Sequence, residues 1–245
     1  MARITSLPEI PEPVSREAAQ GAGQGAPEDR RCRGRPQVRP DDETRQIIYE
    51  AARHEFAGSG YAATSMETVA RGAGVSTKTL YRLVPNKATL FEGMVSDRLD
   101  RFLSDANLQA IDQPEIEQAL YAVLMACAGL TLDDEVVALQ RMVLQEAGKA
   151  SDIAGTFYRK GIQRTQAALA GWLRVQQQRG RIELDNVEEA AGMLLGMVAA
   201  APQRAAIYGG VPLPSRAEIE ARARRCAALF LRGCATAARP PLPPY

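Results

Sequence analysis

Histidine and paired cysteine are nearly missing from this 245-residue chain, which has one histidine, His54, and four cysteines, Cys32, Cys127, Cys226 and Cys234, in no CxxC arrangement. That scarcity argues against a zinc site and gives no disulfide framework, so a reduced interior is the default. An excess of one charge is missing too. Thirty Lys and Arg against 29 Asp and Glu leave a formal net charge of +1, so any surface for a polyanion must be local. No phosphate loop, Ser/His/Asp or Cys/His constellation or cluster of metal ligands is visible, which disfavours an enzyme and points to no cofactor and no metal. Long apolar runs are absent: residues 190–203, between Glu189 and Arg204 and containing Pro202, are too short to span a bilayer and suit a buried helix. The first twenty residues, broken by proline and charge, contain no signal-peptide core. A soluble, cytoplasmic protein is expected. Strand-like alternation is missing beyond a few residues, so the fold class is all-α.

What is present begins with a contrast in composition. Residues 1–40 are rich in Pro, Gly, Gln and charge with no periodic apolar pattern, and read as a disordered basic arm. Arginines at 30, 31, 33, 35, 39 and 45 concentrate positive charge directly before the first helical pattern. Arg33-Gly34-Arg35-Pro36 resembles the core of an AT-hook, thin enough to enter a narrow A·T minor groove. The alternative is a solvated basic linker.

Residues 65–87, SMETVARGAGVSTKTLYRLVPNK, are the most informative stretch. Ser65 precedes Met66, Val69, Ala70 and Ala73 at helical spacing, and Glu67 places negative charge in the first turn. Gly74 tolerates the left-handed conformation that ends a helix, Val75 can plug the turn, and Ser76 can cap a second helix. That helix opens Thr77-Lys78-Thr79, turns Leu80 and Leu83 inward and stops at Pro85. Two short helices joined by a tight turn are the outline of a helix-turn-helix, whose second helix fits the major groove with its leading residues nearest the bases.

From about Thr44 to Met94 the sequence resembles the DNA-binding domain of TetR/AcrR transcriptional regulators: RQIIYEAARHEFAGSGY, then TSMETVARGAGVSTKTLY, then NKATLF opening a fourth helix. The resemblance implies that Thr77, Lys78, Thr79 and Arg82 face the groove. It also implies that the Tyr81 hydroxyl, the Lys87 ammonium, Thr64 and Ser65 bind phosphates. Many members carry an aromatic pair after the tyrosine where this chain has Arg82-Leu83-Val84, which leaves the base preference undetermined. Arg33 and Arg35 of the arm complete the candidate DNA contacts. Each residue also has a plain structural alternative: Tyr81 as a packing aromatic, Lys87 as a solvated lysine, Thr77 to Thr79 as a helix start.

The remaining pattern is helical. Helices are expected from Asp112 and Pro114, from Asp133 or Asp134, from about Asp152 to Gly180, from Asn186 to Tyr208, and from Ser215, whose partner Glu218 completes a capping box, to near Gly233. The domains expected are the arm (1–40), an N-terminal three-helix helix-turn-helix DNA-binding domain (41–88), a larger helical ligand-binding and dimerisation domain (89–237), and a tail (238–245). The Asn186–Tyr208 segment is apolar nearly all round; its residues 190–201, with Ala221, Ala228, Leu229 and Leu231 of the last helix, are the expected dimer interface. A homodimer would read a pseudo-palindromic double-stranded operator with two heads about 34 Å apart. The resemblance further implies a small-molecule pocket. Tyr121, Met125, Met142, Phe157, Tyr158, Trp172 and Met193 are candidate lining residues, with plain core packing the alternative for each. A small hydrophobic effector is expected over a polar metabolite. The leading functional expectation is a repressor released from its operator by that effector; the alternatives are a regulator without a ligand, an activator, or, last, an all-helical enzyme.

Overall fold

The computed structural model describes residues 39–106, 113–146 and 152–234. Arg33, Arg35 and the other arm residues up to 38 lie outside the described residues, as does the tail. The described residues are all-α. The first helix, α1 (Asp41–Ser59), carries Asp41, Asp42 and Glu43 at its positive end and stops where Gly60 adopts φ +86°, a conformation that glycine reaches without a Cβ clash. After it, α2 (Met66–Gly72) and α3 (Thr77–Leu83) form the helix-turn-helix. The caps are those the residues call for. Ser65 Oγ accepts the Thr68 N–H at 3.1 Å while Thr68 Oγ1 accepts the Ser65 N–H at 3.1 Å. Gly74 turns the chain at φ +63°, and Ser76 Oγ accepts the Thr79 N–H at 3.0 Å. Two short helices have little intrinsic stability, so their fixed angle comes from these caps and from the core beneath.

That core joins Ile48, Ala52 and Phe56 of α1 to Val69, Leu80, Leu90, Phe91 and Met94, the last three on α4 (Lys87–Ala106). Phe56 stacks on Tyr61 at 5.3 Å between centroids, and Phe91 meets both rings edge-on at 5.8 Å. The α1–α4 contact is close: a Cβ at Gly93 would collide with the Tyr49 hydroxyl. The apolar cluster does not end at α4. It continues into Leu139, Met142 and Val143 of α6 (Asp134–Glu146) and Ile153 and Phe157 of α7 (Ile153–Phe157), so no solvated seam separates the helix-turn-helix from the helices that follow.

A second core lies between α5 (Ile116–Thr131), α8 (Arg164–Gln178), α9 (Val187–Leu195) and α11 (Arg216–Cys234). Leu120, Leu124, Cys127, Leu169, Trp172, Leu173, Leu194 and Ala227 fill it. Burial pushes the Cys127 thiol up to about 12, which keeps it protonated and chemically quiet. At the start of α11, Glu218 Oε2 accepts the Ser215 N–H at 2.8 Å, one arm of the expected capping box.

Two long helices depart from plain α geometry. The chain expected to run unbroken from Asp152 to Gly180 contains a π-helical turn at Tyr158–Gln163. A second such turn, Gly196–Ala200, joins α9 to α10 (Ala201–Gly209). The combined helix Val187–Gly209 is therefore 23 residues long, and by length and composition alone is sufficient to cross a membrane. The expectation that this apolar segment is too short counted only the uncharged run 190–203, between Glu189 and Arg204 and containing Pro202. Proline falls instead in the first turn of α10, just after the π turn, where the hydrogen-bond register is already shifted and its missing N–H costs little.

Removing the Phe56 side chain empties the middle of the aromatic trio. Phe56→Ala is expected to destabilise the protein by about 3–5 kcal/mol, read as a lower urea midpoint with little change in its slope.

Candidate DNA interface and effector cavity

The leading residues of α3 are set outward by the inward turn of Leu80 and Leu83, both buried. Thr77 and Lys78 are exposed, and Thr79 is half-exposed with its hydroxyl 2.8 Å from Ser76 Oγ. Tyr81 is exposed and its hydroxyl donates to Glu67 of α2 at 3.4 Å; burial first, then Glu67, raises its pKa. Arg82 is exposed but engaged, its two terminal nitrogens each 2.8 Å from a carboxylate oxygen of Asp41. This fork ties the recognition helix to the start of α1 and raises the Arg82 pKa further. At an exposed position such a pair contributes little to stability, so the guanidinium remains exchangeable.

Two candidates for phosphate contact are used differently. Thr64 is buried, and its hydroxyl lies 2.8 Å from the Gly60 carbonyl and 3.1 Å from that of Glu55, closing the end of α1. It has one proton to give, and that proton is directed inward. Lys87 Nζ donates to the carbonyls of Tyr61, Thr64 and Ala62 at 2.8, 3.0 and 3.3 Å, and lies 4.6 Å from the Tyr61 ring centroid. An ammonium has three N–H donors, and all three are committed to the loop between α1 and α2. Both side chains are thus engaged within the protein, Thr64 at the end of α1 and Lys87 on the loop between α1 and α2. Ser65 differs: at the half-exposed start of α2 its oxygen accepts the Thr68 N–H and lies 3.3 Å from Thr68 Oγ1.

A cavity of about 280 Å³ opens among α4, α6, α8, α9 and both π turns. Met94, Val95, Leu99, Leu139, Phe157 and Leu195 give it apolar walls, and Gly161 and Gly196 thin the wall at the two π turns. At Gly196 an added Cβ would meet nothing within 4 Å. Of the seven residues expected from the sequence to line a pocket, Phe157 lines this one. Met142 and Trp172 are buried in the two cores, Met125 packs against the second, and Tyr121 lies under the Arg224 guanidinium at 5.0 Å. Tyr158 and Met193 face outward, 51% and 56% exposed. A stripe at helical spacing looks the same from sequence whether it faces a core, a cavity or solvent.

The sequence reading missed Arg53 and Glu135. Arg53 is 6% exposed on α1, the first helix of the DNA-binding unit, yet it lines the cavity, as does Glu135 of α6. Its guanidinium pairs with Glu50 a turn earlier, and its Nε lies 3.7 Å from Glu135 Oε2. His54 is adjacent, and one ligand atom each from Glu50, His54 and Glu135 fall within 4.8 Å of one another. This trio was invisible in sequence because Glu135 is remote; its two carboxylates already face the Arg53 cation. The available signal for Arg53 was its position beside Ala52 and one turn before Phe56, at the edge of the apolar stripe of α1.

Lys87→Ala is expected to leave three carbonyls without their donor and to lower stability by about 1–2 kcal/mol, measured by urea unfolding. Unchanged stability with a salt dependence of DNA binding shallower by about one unit would return this lysine to the phosphates.

Comparison with known proteins bears on the whole arrangement. Residues 48–94 match the model of bacterial regulatory proteins of the tetR family, and residues 118–235 match the C-terminal domain of AefR-like transcriptional repressors. No protein of curated function matches the sequence. Among solved structures, a TetR-family transcriptional regulator from Mesorhizobium loti is 28% identical with a TM-score of 0.70, over 80% of this chain and 98% of that one. The flavonoid-responsive regulator FrrA is 26% identical with a TM-score of 0.64, over 80% and 100%. GusR from Salmonella enterica, at 24% and 0.56 over 80% and 97%, shares the fold. With both family models in their expected order around the helix-turn-helix, the chain belongs to the TetR family of transcriptional regulators, DNA-binding proteins and not enzymes.

Proposed function

We propose that this regulator is a homodimeric repressor that holds a pseudo-palindromic operator and releases it when a small, largely apolar effector occupies the cavity. The observation that carries the reading is the composition of the cavity wall. It includes Arg53 of α1, against which α2 and α3 pack, and Met94, Val95, Arg98 and Leu99 of α4, which shares their core. An occupant therefore touches the supports of the recognition helix directly. A ligand shifts the equilibrium only by its differential affinity for two conformers, and contact with these helices supplies a means of discrimination. The name of FrrA, a flavonoid-responsive regulator, supports response to an organic molecule in this part of the family.

Thr77, Lys78, Thr79 and Tyr81 are the side chains proposed to meet DNA. Ser65 and Arg82 are proposed to join them, Arg82 by exchanging Asp41 for a phosphate or base; Arg33 and Arg35 are proposed to follow the minor groove. Dimerisation is supported by the helix Val187–Gly209, of whose most apolar 18-residue window only 33% is buried within the chain. Leu229 of α11 is likewise 60% exposed. Apolar surface on this scale is what an isologous contact with a second copy would cover.

The reading is tested by selecting bound fragments from the source genome and measuring affinity by fluorescence anisotropy at several salt concentrations. Lys78→Ala should lower affinity for the selected site at least tenfold and alter preference among base variants; a variant indistinguishable from wild type would remove α3 from the interface. Leu229→Arg should convert a sedimenting dimer to a monomer and abolish operator binding without loss of helicity. A wild-type monomer that binds the full site would contradict the dimeric reading.

A further inference from the structure

The polar groups that line the cavity are unevenly committed. Thr165 donates its hydroxyl to Gly161 O at 2.9 Å, Gln166 its amide to Glu188 O at 2.8 Å, and Gln203 its amide to Thr131 O at 2.6 Å. Arg98 pairs with Asp133 at 3.0 Å. At the junction of α1 and α6 the situation differs. Arg53 Nε is buried and has no hydrogen-bond partner; the carboxylate oxygen of Glu135 at 3.7 Å is beyond hydrogen-bonding range. A buried guanidinium N–H without an acceptor is costly to leave unmade, and the side chain that carries it is part of the cavity wall.

Charge decides what can satisfy it. Around this end Arg53 and Arg98 face Glu50, Glu135 and Asp133, so carboxylates already outnumber cations. An anionic ligand would add another negative charge beside Glu135. The complementary group accepts one hydrogen bond from Arg53 and donates one to Glu135 without carrying charge, and a hydroxyl is the simplest group that does both. The 3.7 Å gap is shorter than two hydrogen bonds of about 2.8 Å laid end to end. One oxygen can therefore bond to both partners at once, after the Arg53 side chain turns its enclosed Nε–H toward the cavity. Size limits the remainder of the molecule. At about 280 Å³ the cavity is nearly twice the roughly 150 Å³ that admits a single benzene ring.

We propose that the effector is a neutral, compact, apolar molecule of about two rings whose hydroxyl bridges Arg53 of α1 and Glu135 of α6. This rests on the effector reading above and gives it a chemical class. The bridge fastens the first helix of the DNA-binding unit to α6, so occupancy and the position of α1 become one equilibrium.

Three probes of one shape separate the alternatives: 2-naphthol, naphthalene and 2-naphthoate, titrated at neutral pH into the full-length protein and followed by their own fluorescence. The expected result is that 2-naphthol binds at least tenfold tighter than either of the others. Arg53→Met, and independently Glu135→Leu, should bring it down to the affinity of naphthalene. Equal affinities for the three, tightest binding of 2-naphthoate, or a 2-naphthol preference that survives in both variants would overturn the hydroxyl anchor while leaving the cavity as an effector site. Failure of all three to bind would overturn both the anchor and the effector reading.

Discussion

Everything this protein can do with DNA depends on how α1 and α4 are held, because α2 and α3 are too short to hold themselves. Seven-residue helices stand only against a surface, and that surface is the face of α1 and α4 carrying Ile48, Phe56, Leu90 and Phe91. The same cluster runs on through Leu139, Val143 and Phe157. A close-packed core is stiff and transmits displacement, so movement at α6 or α7 is felt by the recognition helix without an intervening hinge. Ion pairs between α4 and later segments, Glu92 with Lys160 and Asp100 with Arg164, add orientation to this packing and little energy.

Cations in the DNA-binding unit divide by what they are already doing. Lys87 is consumed by the loop it clasps, Arg82 is held in a fork it can leave, and Lys78 stands exposed at the tip of α3. Their chemistry alone does not rank them. A positively charged side chain in a nucleic-acid-binding motif can act on the ligand or on the fold that presents the ligand's partners, and the count of its unfilled donors distinguishes the two. By that criterion Lys87 is engaged by the scaffold, with three carbonyls on its ammonium.

The helix-turn-helix was legible in the sequence because its signals are local: Ser65 and Ser76 as caps, Gly74 as the turn, Leu80 and Leu83 as the inner face. The all-α class and most helix starts, such as Asn186 and Ser215, were legible for the same reason. What escaped depends on contacts between distant residues. Arg53 and Glu135 meet across 82 positions, and Lys87 reaches back to carbonyls, which carry no sequence identity at all. Trp172 and Met142 were suited to a pocket by type, and only the placement of their helices turns them into core. The π turns hid for another reason: glycine and alanine in 192–201 are compatible with either winding.

Those two turns have a consequence for how the protein can change over generations. A π turn is an α-helix that has taken in one extra residue, and each residue in a helix turns the chain by about 100°. Losing a single codon within 158–163 or 196–200 would not break the helix. It would instead draw the turn back to plain α winding, leave everything beyond facing as before because the wide turn had absorbed the extra residue locally, and exchange which side chains of the turn itself are presented to the cavity. Ligand choice in this scaffold can therefore shift by insertion and deletion in steps that no point substitution reproduces, while α2 and α3, far upstream, keep reading the same DNA.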